Sequence, residues 1–158
     1  MTKHFMIPDT QVKVGVNTDH LEAAGHYIVE KQPEVIVHIG DHWDMASLSS
    51  FDRPGSKKIE GKRYLEDIEA GNDAMDRLMK PLQRYNRQQV ANRKKQYKPH
   101  LVFCMGNHEN RINRATEADA RIDGLMTTEQ FNLREHGWDV RQFLEVANLD
   151  GVNYSHYF

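Results

Sequence analysis

The chain lacks the features that define several large classes of protein. Its 158 residues contain a single cysteine, Cys104, so a disulfide framework is excluded and a reduced thiol inside an apolar strand is expected. No apolar run has the length of a membrane span, and no secretory signal precedes the first apolar segment. The formal charge of −2 argues against a wholly basic nucleic-acid-binding protein, although it leaves local basic patches open. We therefore expect one cytoplasmic domain over residues 1–158.

Two apolar runs of this chain end in side chains of the kind that bind metal ions. The run at residues 35–39 precedes Asp41 and Asp44, and the run at residues 101–105 precedes the block Gly106-Asn107-His108-Glu109. Both runs are typical of buried strands in an α/β sheet, where ligands gather at the carboxyl ends of the strands. The chain also contains nine histidines, an unusual number for its length. Together these features predict a metal site at one edge of a sheet.

The rest of the pattern predicts alternating strands and helices. A strand at residues 5–7 and a helix at residues 18–31 lead into the strand at residues 35–39, which makes the two strands parallel. A helical pattern runs from Ile59 to about Lys98, where Pro81 either kinks the helix or begins a second one. The other predicted elements are a loop at residues 47–56, a helical segment at residues 116–136 with a possible break at Gly124, extended segments at residues 138–143 and 144–149, and a hairpin turn at Asp150-Gly151.

A basic stretch lies in the second half of the long predicted helix. Eight basic residues and no acidic residue occur from Arg77 to Lys98. Many of them recur at spacings of three, four or seven, which would place them along one helical face. The simpler interpretation is a solvated face, and the alternative is a surface that contacts a phosphate backbone. On the second interpretation, the contacts would include Arg84, Arg87 and Lys94.

Taken in this order, the blocks Gly40-Asp41-x-x-Asp44 and Gly106-Asn107-His108-Glu109 resemble those of the calcineurin-like metallophosphoesterase family. The resemblance extends over residues 5–156. It implies an α/β fold of the α-β-β-α sandwich type, with two central sheets between helices. It also implies phosphoester hydrolysis by a metal-activated hydroxide at a dinuclear centre. Manganese is the expected ion, with Fe, Zn and Mg as alternatives.

The resemblance also assigns roles to particular residues. The implied metal ligands are Asp9, Gln11, Asp41, Asn107 and His156, with Asp41 as the bridge between the two ions. The implied catalytic pair is His108, which protonates the leaving oxygen, and Asp44, which orients its imidazole. Three further residues are candidate substrate contacts: His42, Arg111 and Arg114, of which the arginines could instead pair with acids. His38, in the middle of a strand, is expected to be a structural core residue.

Two departures from the family pattern bear on function. Gln11 stands where the family has histidine, and no Gly-His-x-His block follows His156. We therefore expect a sandwich that is incomplete at its C-terminal end, or one whose metal site is completed by another chain or by self-association. The expected partner is a phosphoester substrate, with DNA or RNA as a candidate and no membrane. The alternatives to a nuclease-like phosphodiesterase are a small-molecule or nucleotide phosphatase and a metal-deficient, non-catalytic module that binds nucleic acid through the basic helix at residues 77–98.

Overall fold

Four parallel strands form the central sheet of the protein. The computed structural model describes residues 2–50, 57 and 60–157. The strands are β1 (His4–Ile7), β2 (Val35–His38), β3 (His100–Cys104) and β4 (Asp139–Arg141), and their spatial order is the same as their order in the chain. The predicted α/β class and the parallel pairing of β1 with β2 are confirmed. All four strands therefore direct their carboxyl ends to the same edge of the sheet.

The helices pack on one face of this sheet. They are α1 (Asp19–Lys31), α2 (Tyr64–Ala91) and α3 (Arg111–Ala118). Each contributes buried residues to one apolar cluster, which also takes in Ile36 and Phe103 of the sheet. The cluster includes Trp43 from the loop after β2, so the main core extends up to the edge where β2 and β3 end.

A small antiparallel hairpin covers the opposite face of the sheet. It consists of β5 (Ala147–Leu149) and β6 (Val152–Tyr154), joined at Asp150 and Gly151, which both have positive φ as the sequence signal predicts. Ala147 packs in a second apolar cluster with four residues of the central sheet: Val35, Val37, Val102 and Cys104. The described residues thus form three layers, with helices, a parallel sheet and a hairpin.

The long helix differs from its prediction at both ends. It begins at Tyr64 and ends at Ala91, and Pro81 lies buried inside a continuous helix, so no second helix begins there. The helix does not reach Lys98, because Arg93 has φ 54° and the chain turns back. The Asn86 side chain then donates to the carbonyl of Tyr97 at 2.8 Å and accepts from its N–H at 2.9 Å. This pair of hydrogen bonds holds the returning segment against α2.

The predicted helical segment over residues 116–136 is wrong for most of its length. Helix α3 ends at Ala118, and two short 3-10 turns follow at Ala120–Ile122 and Thr128–Gln130. The Asp119 carboxylate accepts from the backbone N–H of Arg121 at 3.1 Å, a local bond that competes with helix continuation. Gly124 then has φ +80°, which a helix does not contain.

Parts of two sequence predictions fall on residues 51–56, 58 and 59, which lie outside the described residues. They concern the second half of the loop at residues 47–56 and the beginning of the long helix at Ile59. Within the described part of the chain, residues 46–48 form a short 3-10 turn. No helix among the described residues combines the length and the apolar character that a bilayer span requires.

Candidate metal centre

The loops after β2 and β3 lie directly against each other at the carboxyl edge of the sheet. Gly40 and Asp41 have φ +95° and 51°, so the chain turns sharply as soon as β2 ends. A side chain at Gly40 would collide with the backbone of Gly106, and one at Gly106 would collide with the Asp41 carboxylate. The two glycines therefore permit an approach that brings the polar residues of both loops together.

Glu109 fixes the relative position of the two loops. Its side chain is completely buried, and its two carboxylate oxygens accept hydrogen bonds from four backbone N–H groups. Oε1 accepts from His42 at 2.6 Å and from Trp43 at 3.0 Å, while Oε2 accepts from Asp41 at 2.9 Å and from Gly106 at 2.8 Å. Burial raises the pKa of Glu109, and the backbone N–H groups oppose that rise. Glu109 is a functional residue that the sequence pattern did not reveal, although it belongs to the second block.

Three predicted ligands converge above this pair of loops. Asp41 is only 3% exposed, and His156 reaches the same edge from the segment that follows β6. The Nε2 atom of His156 lies 3.4 Å from Oδ2 of Asp41 and 3.0 Å from Oδ1 of Asn107. The other ring nitrogen, Nδ1, lies 2.8 Å from the carbonyl of Ile39. One carboxylate, one amide and one imidazole thus meet at a single point.

The predicted catalytic pair lies beside these ligands. His108 Nδ1 is 2.9 Å from Oδ1 of Asp44, and His108 Nε2 is 3.7 Å from Oδ2 of Asp41. The hydrogen bond with Asp44 raises the pKa of His108, and the same bond lowers the pKa of Asp44. The backbone N–H of His108 also donates to Asp41 Oδ1 at 2.9 Å. The acid therefore orients the ring so that Nε2 faces the three converging ligands.

His42 does not face the site, which corrects the expectation of a substrate contact. Its side chain is fully buried, Nδ1 accepts from the Thr10 hydroxyl at 2.7 Å, and Nε2 donates to the carbonyl of Gly71 at 3.0 Å. His38 is likewise fully buried, as predicted for a core residue, and its Nδ1 accepts from the N–H of Gly40 at 3.1 Å. Both rings are therefore neutral core groups. Sequence spacing alone does not reveal which way a loop histidine points.

The burial of His42 predicts a loss of stability in mild acid. Burial lowers the pKa of His42 to about 4, against about 6.5 in an unfolded chain. Between these values the unfolded chain binds a proton that the folded protein excludes, so the free energy of unfolding decreases as the pH falls and is unaffected above about pH 6.5. For His42 the decrease amounts to about 3 kcal/mol. Urea unfolding of metal-free protein between pH 7 and pH 4 measures it.

The control for this measurement is His42→Gln, whose amide could accept from Thr10 and donate to Gly71 but does not titrate. Subtracting the two pH profiles removes the contributions of all other groups. We expect the wild type to lose stability relative to the variant as the pH falls below about 6.5. Parallel profiles would show that His42 is protonated equally easily in both states.

Asp9 and Gln11 stay at the periphery of the site. Both side chains are exposed, on the segment that follows β1. The backbone N–H of Gln11 donates to the carbonyl of Asp41 at 2.8 Å, so this segment lies alongside the loop after β2. Within the described residues, no hydrogen bond or ion pair joins the side chain of Asp9 or Gln11 to that of Asp41. The structure therefore gathers three of the five predicted ligands, and ligation by Asp9 and Gln11 remains a prediction.

The remaining predicted contacts lie at different distances from the site. Arg111 is buried beside His108, whereas Arg114 is exposed one turn later on α3. Arg84 and Arg87 are exposed on α2, and Lys94 lies beyond its end. Arg77, at the start of the basic stretch, forms an ion pair with Asp19 of α1 at 2.8 Å. This pairing favours the solvated-face interpretation, and nucleic-acid contact by this stretch remains a prediction.

Known proteins provide no independent identification. No family model, curated protein or solved structure matches this chain. Within the described residues, no group of three or more His, Cys, Asp or Glu side chains is arranged so that it could hold a metal ion. The convergence described above contains two such side chains, Asp41 and His156, together with the amide oxygen of Asn107. The case for a metal therefore depends on the chemistry of this mixed donor set.

Proposed function

We propose that this protein is a metal-dependent phosphoester hydrolase with an arrangement of the metallophosphoesterase type. The proposal is supported by the hydrogen-bonding roles of the three converging groups. If Nδ1 of His156 donates its proton to the carbonyl of Ile39, the neutral ring presents a lone pair on Nε2. That lone pair faces two further acceptors, the amide oxygen of Asn107 and a carboxylate oxygen of Asp41. Three acceptors that face one point repel one another, and a cation bound between them would satisfy all three.

The surroundings of this point fit a metal ion. A histidine that ligates a metal commonly donates its other N–H to a backbone carbonyl, as His156 does to Ile39. The hydroxyl of Tyr157 donates to the amide oxygen of Asn107 at 2.8 Å, which orients the amide. Oxygen and imidazole donors suit Mn, Fe, Zn or Mg, and the same donor set includes no thiolate. Asp9, with Gln11, is the candidate for a second ion that shares Asp41.

The protein's own side chains supply the remaining parts of the reaction. Divalent ions bound here would neutralise charge on the phosphoester and activate water for attack. His108 Nε2 faces this position, and its proton can pass to the leaving oxygen. Asp44 holds the opposite nitrogen at 2.9 Å, which fixes the tautomer and the orientation of the ring. Glu109 keeps the two loops together and does not touch the reacting groups.

The test of this proposal combines metal binding with hydrolysis. Titration of metal-free protein with Mn²⁺ by calorimetry should show a stronger site, formed by Asp41, Asn107 and His156, and a second site that is weaker or undetectable. Hydrolysis of bis(4-nitrophenyl) phosphate and of 4-nitrophenyl phosphate should require Mn²⁺ and stop on chelation, and the ratio of the two rates would separate phosphodiesterase from phosphatase activity. Two equally strong sites would contradict the ligand assignment. The absence of both Mn²⁺ binding and hydrolysis would favour the metal-deficient, non-catalytic alternative.

His108→Ala should separate catalysis from metal binding. We expect turnover to fall by about 10²–10⁴-fold, because the imidazole that protonates the leaving oxygen is removed. Manganese stoichiometry should not change, since His108 Nε2 lies outside the three converging ligands. Steady-state kinetics and metal analysis of the same preparation measure both effects, with His26→Ala on the exposed surface of α1 as the control. Equal losses of metal and turnover would instead make His108 a ligand.

A further inference from the structure

Arg111 is a buried cation without an acidic partner. Its side chain is only 9% exposed, and no carboxylate of the described residues lies within 4 Å of its guanidinium group. Several arginines that are more exposed do form ion pairs with acids: Arg77, Arg121, Arg134 and Arg141. Burying a charge is costly unless it is paired. The Asp44 carboxylate, whose pKa is lowered mainly by its hydrogen bond with His108, also interacts with the charge of Arg111, but the two side chains form no direct ion pair.

Two backbone carbonyls fix the direction of this guanidinium group. Nη1 donates to the carbonyl of Asp44 at 2.8 Å and to that of Met45 at 3.2 Å, in the loop that follows β2. Nη2 is then 3.4 Å from Nε2 of His108. The guanidinium group is planar, so anchoring Nη1 also fixes Nη2. One side of the group is satisfied by the protein, and the other is presented to the proposed catalytic imidazole.

The space shared by Arg111 and His108 suits an anionic oxygen. Nε2 of His108 lies on the side of the ring that faces Asp41 and the converging ligands, so Nη2 of Arg111 is at the border of the same site. An anionic oxygen placed beside Nε2 at the border of the site would lie within reach of the N–H groups on Nη2. Arginine is well suited to this contact, because its fixed N–H groups match the oxygens of a phosphoryl group.

We propose that Arg111 binds a non-bridging phosphoryl oxygen of the substrate next to His108. The inference rests on the proposed hydrolase function for the identity of the anion, and it makes Arg111 a substrate-binding residue. Of the two roles that the sequence left open, phosphate contact is favoured over pairing with an acid, because no carboxylate in the part of the chain that the structure describes lies within 4 Å. A bound anion would be a direct ionic partner for the guanidinium group, which has none within 4 Å among the described residues.

The test uses inorganic phosphate as the probe and thermal unfolding as the measurement. The melting temperature of metal-free protein should rise with phosphate concentration in the wild type, because a ligand that binds the folded state stabilises it. In Arg111→Met, the phosphate concentration that gives the same rise should be at least about tenfold higher, in keeping with the loss of a charge-assisted hydrogen bond. Arg134→Met removes one exposed charge and should follow the wild type. If Arg111 is only structural, its variant will melt lower by the same amount at every phosphate concentration.

A second variant and a hydrolysis assay distinguish failure of this inference from failure of the proposed hydrolase function. If the methionine variant does not fold, Arg111→Lys is used instead, because lysine keeps the charge but lacks the planar guanidinium group. A phosphate affinity of Arg111→Lys equal to that of the wild type would overturn the proposal. No response of the wild type to phosphate would also overturn it. With Mn²⁺ present, hydrolysis with an unchanged KM in Arg111→Met would contradict the inference while the hydrolase function stands. Loss of phosphate binding in the variant, without hydrolysis by any form, would support the anion site and contradict the hydrolase.

Discussion

Asp41→Asn is expected to abolish manganese-dependent hydrolysis while the protein remains folded. The Asp41 carboxylate is the only acidic group among the three that converge at the carboxyl edge of the sheet. An amide removes the negative charge that the cation requires, and it brings an NH₂ group towards Nε2 of His156 or the N–H of His108. We expect Mn²⁺ affinity to fall by at least about tenfold, as for the loss of a charged contact, and turnover to fall below detection. Calorimetry and the bis(4-nitrophenyl) phosphate assay measure the two effects.

The fold should tolerate this substitution for a conformational reason. Asp41 has φ 51°, and asparagine is among the few residues that adopt this region readily. The backbone N–H of Asp41 remains bonded to Glu109, since the side chain takes no part in that bond. Asp73→Asn, at an exposed position of α2, is the control for loss of one negative charge. If Asp41→Asn keeps full Mn²⁺ binding and turnover, the proposed metal centre is wrong.

The parts of this fold that could be predicted are those set by local chemistry. The β-branched run of β2 predicts a buried strand, and the Asp150-Gly151 pair predicts a hairpin because both residues tolerate positive φ. Parallel pairing then follows from a helix between two strands, and it brings Asp41 and Asn107 to one edge without any further information. The meeting of these two residues was therefore accessible from the sequence.

The parts that could not be predicted depend on contacts between distant segments. Glu109 looks like any acid near the start of a helix, and its function becomes visible only when the loop after β2 lies on top of it. His42 is polar and lies in a loop, yet it points into the core towards Gly71. The segment after α3 has apolar residues at helical spacing, but Leu125 is 70% exposed and a local Asp119 hydrogen bond ends the helix.

Glu109→Gln is expected to cause the largest loss of stability of any conservative substitution at this site. Each carboxylate oxygen of Glu109 accepts two backbone N–H groups, and in glutamine one of those oxygens becomes an NH₂ group that donates. Two buried N–H groups then lose their acceptor, at a cost of about 1–3 kcal/mol each. We expect the free energy of unfolding to fall by roughly 2–6 kcal/mol, a large part of the total for a domain of this size. Urea unfolding of metal-free protein at pH 7 measures this change.

Glu117→Gln provides the matched control, because it makes the same chemical change at an exposed position of α3, the helix that follows Glu109. Its effect should stay within about 0.5 kcal/mol, as is usual for surface substitutions. The comparison isolates the four backbone contacts from the loss of one negative charge. Because Glu109 connects Asp41 to Gly106, the variant should also bind Mn²⁺ more weakly at temperatures where it is still folded. Equal stability of the two variants would show that the loops after β2 and β3 hold their positions without this carboxylate.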